Sequence, residues 1–367
     1  MRTVVLVIGA ALLLVSGCSA SSTPVVVSAF PDRTSVQGDL DGLTRQIVGG
    51  AIASLAKDDH ALELRSGVGD RTTREAIPEG AQVRIGSVTK TFMATIVLQL
   101  VDEGKVDLDA PVDRYLPGVI AAEGVDPKAI TVRQVLQHTS GLPEYADDPR
   151  IEQTYFGSGE RFTPPDLLAM ATRKPAKFAP GARMEYTNTN YLVAGMLIER
   201  VTGNRVEQEL ARRITDPLEL TDTYLPGPGE AEIRGRHPHG YERDGDRVLD
   251  VTRSEPSGPW TAGAMVSSGA DLGTFLRALV QGRLVSPAAW TAMSTTVPMS
   301  EPGMSYGLGL MSARLSCGKD YWGHSGDIAG FHTVAGATAD GRAVTITVTQ
   351  APPQPVDTLA LLSHALC

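Results

Sequence analysis

Three short groupings in this chain have residue types and spacings that can do chemistry. Ser87 and Lys90 lie three apart in "RIGSVTKTF", Tyr186 and Asn188 two apart in "MEYTNTNY", and His324 and Gly326 two apart in "YWGHSGDIAGF". Ser-x-x-Lys is a weak pattern alone, and this chain has it three times, at Ser54/Lys57, Ser87/Lys90 and Ser316/Lys319. Only the second stands at the head of a long apolar run. If that run is a helix, positions i and i+3 share a face, and the amine can reach the hydroxyl. Burial can lower a lysine pKa until the amine accepts a proton, which would make Ser87 a nucleophile. A helix start also offers unpaired N–H groups to a developing oxyanion. The bland alternative for the pair alone is a capping serine and a snorkelling lysine.

The elements that must position these residues are legible in outline. From Val88 the apolar residues recur at helical spacing, with Ala94 and Leu98 widening the stripe nearly all round, as in a buried helix that Gly104 stops. "GGAIASLAKDDHALELRSGVGD" reads as two strands about the turn "KDDH". From Gly104 to about residue 225 the signals are mostly helical. Thr131 and Gln134 form a capping box, Thr163 caps a helix with Pro in its first turn, and "NYLVAGMLIERVTG" ends at Gly203. The tail turns to strands in "YGLGLMSARL", "FHTVAGATA" and "AVTITVTQ", the last two joined by Asp340-Gly341, and closes with a helix in "PVDTLALLSHAL". Strands at both ends with helices between imply one antiparallel sheet, flanked by terminal helices, with a helical subdomain inserted at about 105–225. The α/β (α+β type) class follows, with the site expected in the cleft between sheet and subdomain.

The chain has 367 residues and a net charge of −9, which argues against nucleic-acid binding. Length alone suggests roughly two domains. Arg2 precedes an apolar run from Val4 to Val15 that is short for a bilayer span, so residues 1–17 read as an export signal. "VSGC" resembles a lipoprotein signal, with Cys18 acylated and residues 18–40 forming a tether to a domain at 41–367. The expected location is the outer face of the bacterial cytoplasmic membrane, or the medium if Cys18 is not acylated. Cleavage leaves Cys317 and Cys367 as the pair able to form a disulfide outside the cytoplasm. His237 and His239 have no carboxylate at ligand spacing, so no metal site is expected, and no cofactor motif is present.

Taken together, "SVTK", "YTN" and "HSG", in that order, resemble the serine β-lactamase-like superfamily of penicillin-binding proteins, D-alanyl-D-alanine carboxypeptidases, class C β-lactamases and related esterases. "VLQHTSGL" and "PGARMEYTNTNYLVAGMLIE" fit its H-x-G branch, nearest to the Streptomyces-type DD-carboxypeptidases. The resemblance implies that family's fold and an acyl-enzyme on Ser87. Lys90 and Tyr186 would move protons, with the choice of base left open. Asn188 would bond the substrate amide, and His324 would hold Tyr186 in its reactive state. Gly326 would let a substrate lie along the strand, and the N–H groups of Ser87 and Asp327 would form the oxyanion hole. Trp260 is a candidate pocket residue or a structural one, and His138 is expected to pack around a turn. A small-molecule or peptide substrate is implied: a cell-wall peptide, a β-lactam or an ester. A DD-carboxypeptidase is the leading expectation, an esterase or β-lactamase the next, and a silent penicillin-binding or cell-wall-binding protein a third. Asp327 departs from the pattern, because the family usually has an uncharged residue there. Its carboxylate would repel a substrate's terminal carboxylate unless it pairs elsewhere, Arg314 being one candidate partner.

Overall fold

The computed structural model describes residues 30, 32–156 and 159–367. Cys18 and the segment read as an export signal lie outside them. The chain enters through helix α1 (Arg33–Thr44) and forms the hairpin β1 (Gly50–Lys57) and β2 (His60–Gly67) about Asp58-Asp59. The last strands return to it. The sheet has eight strands in the order β2-β1-β12-β11-β10-β9-β8-β7, with β12 (Arg342–Val348) pairing antiparallel to β1 so that Ala51 opposes Val348. The rest are β7 (Val297–Pro298), β8 (Met304–Tyr306), β9 (Met311–Arg314), β10 (Asp320–Ile328) and β11 (Phe331–Ala337). "YGLGLMSARL" is thus not one strand but two. Gly309 adopts φ +74°, and Thr91 donates to its carbonyl from a neighbouring helix, which breaks the ladder there.

That neighbour is α2 (Thr89–Asp102). Residues Thr89 to Leu98 and Leu100 are all buried, as expected of a helix apolar nearly all round. Ser87 does not open α2 itself. It sits in a 3₁₀ turn, Gly86–Val88, immediately before the helix. Gly86 has φ +52°, and a Cβ there would come 2.7 Å from the Asp327 nitrogen, so the turn presses against β10 and only glycine fits. Behind Ser87, Phe92 stacks on Phe275 of α4 (Gly269–Val280), with ring centroids 3.7 Å apart.

Between β2 and β7 most of the regular elements are helices, joined by long loops. The Thr131 box with Gln134 forms, as does the Thr163 cap, completed by Asp166. Helix α3 (Asn188–Thr202) starts at a Thr187 cap and ends at Gly203 in the left-handed conformation. Two small sheets escaped the sequence reading: β3 (Gln82–Arg84) with β6 (Val266–Ser268), and the hairpin β4 (Tyr241–Asp244) with β5 (Arg247–Asp250). The face of the large sheet away from α4 is covered by α1 and α5 (Thr358–Leu366). Cys317 and Cys367 form a disulfide that ties the turn before β10 to the end of α5.

Candidate active site

Ser87, Tyr186, Asn188, Ser325 and Asp327 line one cleft of about 380 Å³, with Tyr145, Tyr155, Pro259, Met299 and Met311. Three different segments deliver these groups, so the cleft exists only in the folded chain. Among its lining residues are no Arg, Lys or His and a single carboxylate, that of Asp327.

Lys90 lies one helical step below Ser87 and is fully buried. Its Nζ donates to Ser87 Oγ at 2.9 Å, Asn188 Oδ1 at 2.8 Å and the Ala262 carbonyl at 2.6 Å. Three acceptors account for the three protons of an ammonium. Two of them, both carbonyl oxygens, can only accept. When the ammonium loses a proton, the lone pair must therefore face Ser87, the one partner with a proton to give. Burial makes that loss easy, pushing the Lys90 pKa down to about 7 against the pull of the Glu144 charge.

Glu144 was not singled out by sequence. Its Oε2 accepts from the Asn188 backbone N–H at 2.7 Å and from Asn188 Nδ2 at 3.2 Å, and its Oε1 accepts from the Ala146 N–H at 2.9 Å. It thereby holds the start of α3 and turns the Asn188 amide so that its oxygen faces Lys90.

Tyr186 presents a hydroxyl buried without a well-formed hydrogen bond. Burial raises its pKa strongly, with Glu144 and Asp327 adding to the rise and Ser87 opposing it as a hydrogen-bonding neighbour. The phenol therefore holds its proton in the resting site. Lys90 Nζ is 4.9 Å from the Tyr186 ring centre.

His324 does not hold Tyr186. Its Nε2 meets the Tyr306 hydroxyl at 2.9 Å, its Nδ1 meets the Ser325 carbonyl, and its ring centre is 6.3 Å from that of Tyr186. The ring that stacks on Tyr186 is His138, at 4.1 Å between centroids. His138 Nδ1 accepts from the Thr187 N–H at 3.3 Å and Asn190 Nδ2 at 3.1 Å, which leaves the proton on Nε2, 3.3 Å from the Tyr306 hydroxyl. The partners thus set a chain in which His138 donates to Tyr306, Tyr306 to His324, and His324 to the backbone. Both imidazoles are neutral. Burial and the nearby Lys90 push His324 down to about 3 and His138 well below its ordinary value. His138 does stand at a bend, with φ +59°, but it also props the phenol.

Gly326 serves the Ser87 turn. A Cβ there would fall 2.0 Å from the Ile85 carbonyl and 3.1 Å from the Ser87 nitrogen. The residue brings two backbones together and is not among the cleft-lining residues. β9 pairs only with Asp320–Gly323, so beyond Gly323 that side of β10 is left to the Ser87 turn and the cleft. The same approach sets the Asp327 nitrogen beside Gly86, next to Ser87. Trp260 is buried at the start of a short helix and does not line the cleft, whereas its neighbours Pro259, Ala262 and Gly263 do. Arg314 pairs with Asp320 at 2.7 Å, not with Asp327. The partner of Asp327 is His332, which sequence reasoning missed, with Nδ1 to Oδ1 at 2.8 Å. Burial lowers the His332 pKa, but Asp327 and Glu242 outweigh it and lift the value to about 9. The imidazolium thus stands between two carboxylates. Among the described residues no cluster of His, Cys, Asp and Glu is placed to hold a metal ion.

This geometry has close relatives. A D-stereospecific amidohydrolase from Streptomyces sp. superposes with a TM-score of 0.84 at 37% identity, over 92% of this chain and 99% of that one. The D-amino acid amidase of Ochrobactrum anthropi SV3, complexed with D-phenylalanine, gives 0.79 at 28% identity over 91% and 98%. A putative penicillin-binding protein, PbpX, of Bacillus subtilis (strain 168) is 28% identical over 267 residues, 71% of this chain and 60% of that protein. The match thus spans about three-fifths of that relative's length. The beta-lactamase family model matches residues 31–366. The chain belongs to the beta-lactamase family of serine hydrolases.

Proposed function

We propose that the protein hydrolyses amides or esters whose scissile end carries no free carboxylate, short D-aminoacyl amides being the leading class, through an acyl-enzyme on Ser87. One observation carries this reading: the cleft lining has no cation and one carboxylate. A terminal carboxylate placed about 4 Å from Asp327 would be repelled by ~4 kcal/mol at an effective dielectric of 20. The His332 imidazolium offsets that charge, but Glu242 on its other side restores the negative excess. The amidohydrolase and amidase named above support the same class. The DD-carboxypeptidase expected from sequence has a carboxylate-ended substrate and is less well served.

In this mechanism neutral Lys90 takes the Ser87 proton as Oγ adds to the carbonyl. The N–H groups of Ser87 and Asp327 hold the oxyanion. As the bond to the leaving nitrogen or oxygen breaks, the Tyr186 hydroxyl gives that atom a proton and regains one from the Lys90 ammonium. Water then attacks the acyl-enzyme, with the same groups reversing roles. Export and lipid anchoring at Cys18 belong to this proposal, and the Cys317–Cys367 disulfide, which suits an oxidising compartment, supports them.

The test compares one D-aminoacyl peptide with a free terminal carboxylate and its amidated twin. A higher kcat/KM for the amidated member is expected, with Asp327→Thr moving the preference toward the acid. A wild type that prefers the acid, with the mutant unchanged, refutes the proposal.

A further inference from the structure

A second cavity, about 370 Å³, opens beyond β10 on the face of the sheet covered by α1 and α5. Ser325 and Asp327 line both cavities, so the two meet along that strand. The pairing explains the shared wall. Ser325 lies opposite Val334, which lies opposite Ile346; Asp327 lies opposite His332, which lies opposite Val348. Residues directly opposite project to the same face. The floor of the second cavity is therefore Val334, Ile346 and Val348, and Val356 and Leu361 close its far side. Its mouth is acidic, with Glu301 and Asp327 beside the paired His332.

Tyr186 tells which part of a substrate faces this way. It packs, as Val334 does, against the apolar cluster that contains Tyr306, Ile346, Val348 and Leu361. Its hydroxyl, buried without a well-formed hydrogen bond, is the proton donor to the departing atom in the reaction proposed above. In the proposed reaction that hydroxyl protonates the departing atom, which would set the leaving group toward the side of β10 that carries the second cavity.

We infer that the second cavity is the subsite for the leaving group, and that it takes an apolar alkyl or aryl amine or alcohol without a carboxylate. This rests on the reaction proposed above and adds to it the nature of the leaving side. An apolar chain would lose water against Val334, Ile346 and Val348, while an amine at its head would meet Asp327 and Glu301.

The experiment uses one D-aminoacyl group carried on a primary amide, a methylamide, a hexylamide and a benzylamide. In wild type, kcat/KM is expected to rise about tenfold from methylamide to hexylamide or benzylamide. Val334→Trp, which fills the floor, and Val356→Asp, which puts a charge on the partly exposed far wall, should each abolish that rise. The primary amide, whose ammonia would leave this subsite empty, is the reference rate within each variant, so the rise is read as a ratio. Hexylamine alone is titrated by calorimetry in parallel, since its binding needs no turnover. If the amides are cleaved with no chain-length preference, or the preference survives both substitutions, the subsite is refuted while the reaction stands. If no amide is cleaved yet hexylamine binds wild type and neither variant, the subsite stands and the reaction falls. Failure of hexylamine to bind wild type, as when the N-terminal segment or a second copy of the chain fills the cavity, overturns the inference.

Discussion

Asp327 and His332 oppose each other across β10 and β11, with His332 Nδ1 2.8 Å from the Asp327 carboxylate. His332 has a folded pKa of about 9 against an ordinary 6.5. A raised folded pKa means the native state binds the extra proton, so this contribution to stability is full below 6.5 and lost as pH rises through about 9. His332→Ala should flatten the fall in stability between those values, read as melting temperature against pH in wild type and variant. Equal slopes would show that the pair contributes nothing.

Lys90 has the opposite sign. Its folded pKa, about 7, lies below the ordinary 10.5, so the unfolded chain binds more protons between the two. This group's contribution therefore makes stability rise with pH from about 7 to 10.5. Catalysis should follow the free amine. The acylation rate is expected to rise through an apparent pKa near 7 and level off above it. A flat profile from pH 5 to 9 would remove Lys90 as the base.

Ser87→Ala should abolish acylation by a mechanism-based inhibitor, seen by intact-mass spectrometry, and leave the melting temperature nearly unchanged. Ser87 is half-buried at the cleft wall, and loss of its hydroxyl leaves Lys90 with two remaining acceptors. An adduct forming at the wild-type rate would place the nucleophile elsewhere.

Gly326→Ala is expected to do damage out of proportion to one methyl. Its Cβ would meet the Ile85 carbonyl, and either β10 or the Ser87 turn must move. A stability loss of ~1–3 kcal/mol is anticipated, typical of overpacking. Turnover should drop more than substrate binding, because the displaced group is the nucleophile's own backbone. Wild-type kcat in this variant would refute the close approach.

Serine in place of both Cys317 and Cys367 should cost up to ~4 kcal/mol by the chain-entropy argument for a loop of 50 residues, and real bridges often give less. Denaturant titration measures it. Activity at 25 °C should persist, since the bridge lies outside the cleft.

The sequence announced the residues that react but not the ones that aim them. Ser87, Lys90, Tyr186 and Asn188 were readable because their spacings are local: three along one helical rise, two across a cap. The prop behind Tyr186 was not, because His138, Tyr306 and His324 come from three segments and meet only through packing. His324 was assigned to Tyr186 by motif, yet a tyrosine from a different strand claims its ring. His332 was within reach. The pairing of Ile328 with Phe331 places it across from Asp327, and counting outward from that tight turn would have found it. The strand expected over "YGLGLMSARL" failed because Gly309 answers to a threonine on α2, a partner that no local pattern records.

The pairing of β1 with β12 has a consequence for how the molecule is made. The first hairpin to leave the ribosome finds its neighbour only when almost the whole chain has followed, so the sheet cannot close from one end. Until then β1 offers an open edge through the time needed to build everything between. Contacts this distant in sequence slow folding and leave such an edge open to wrong partners. A chain translocated unfolded, from its N-terminus, would meet that interval outside the cell, with β1 waiting for a strand still on the other side of the membrane.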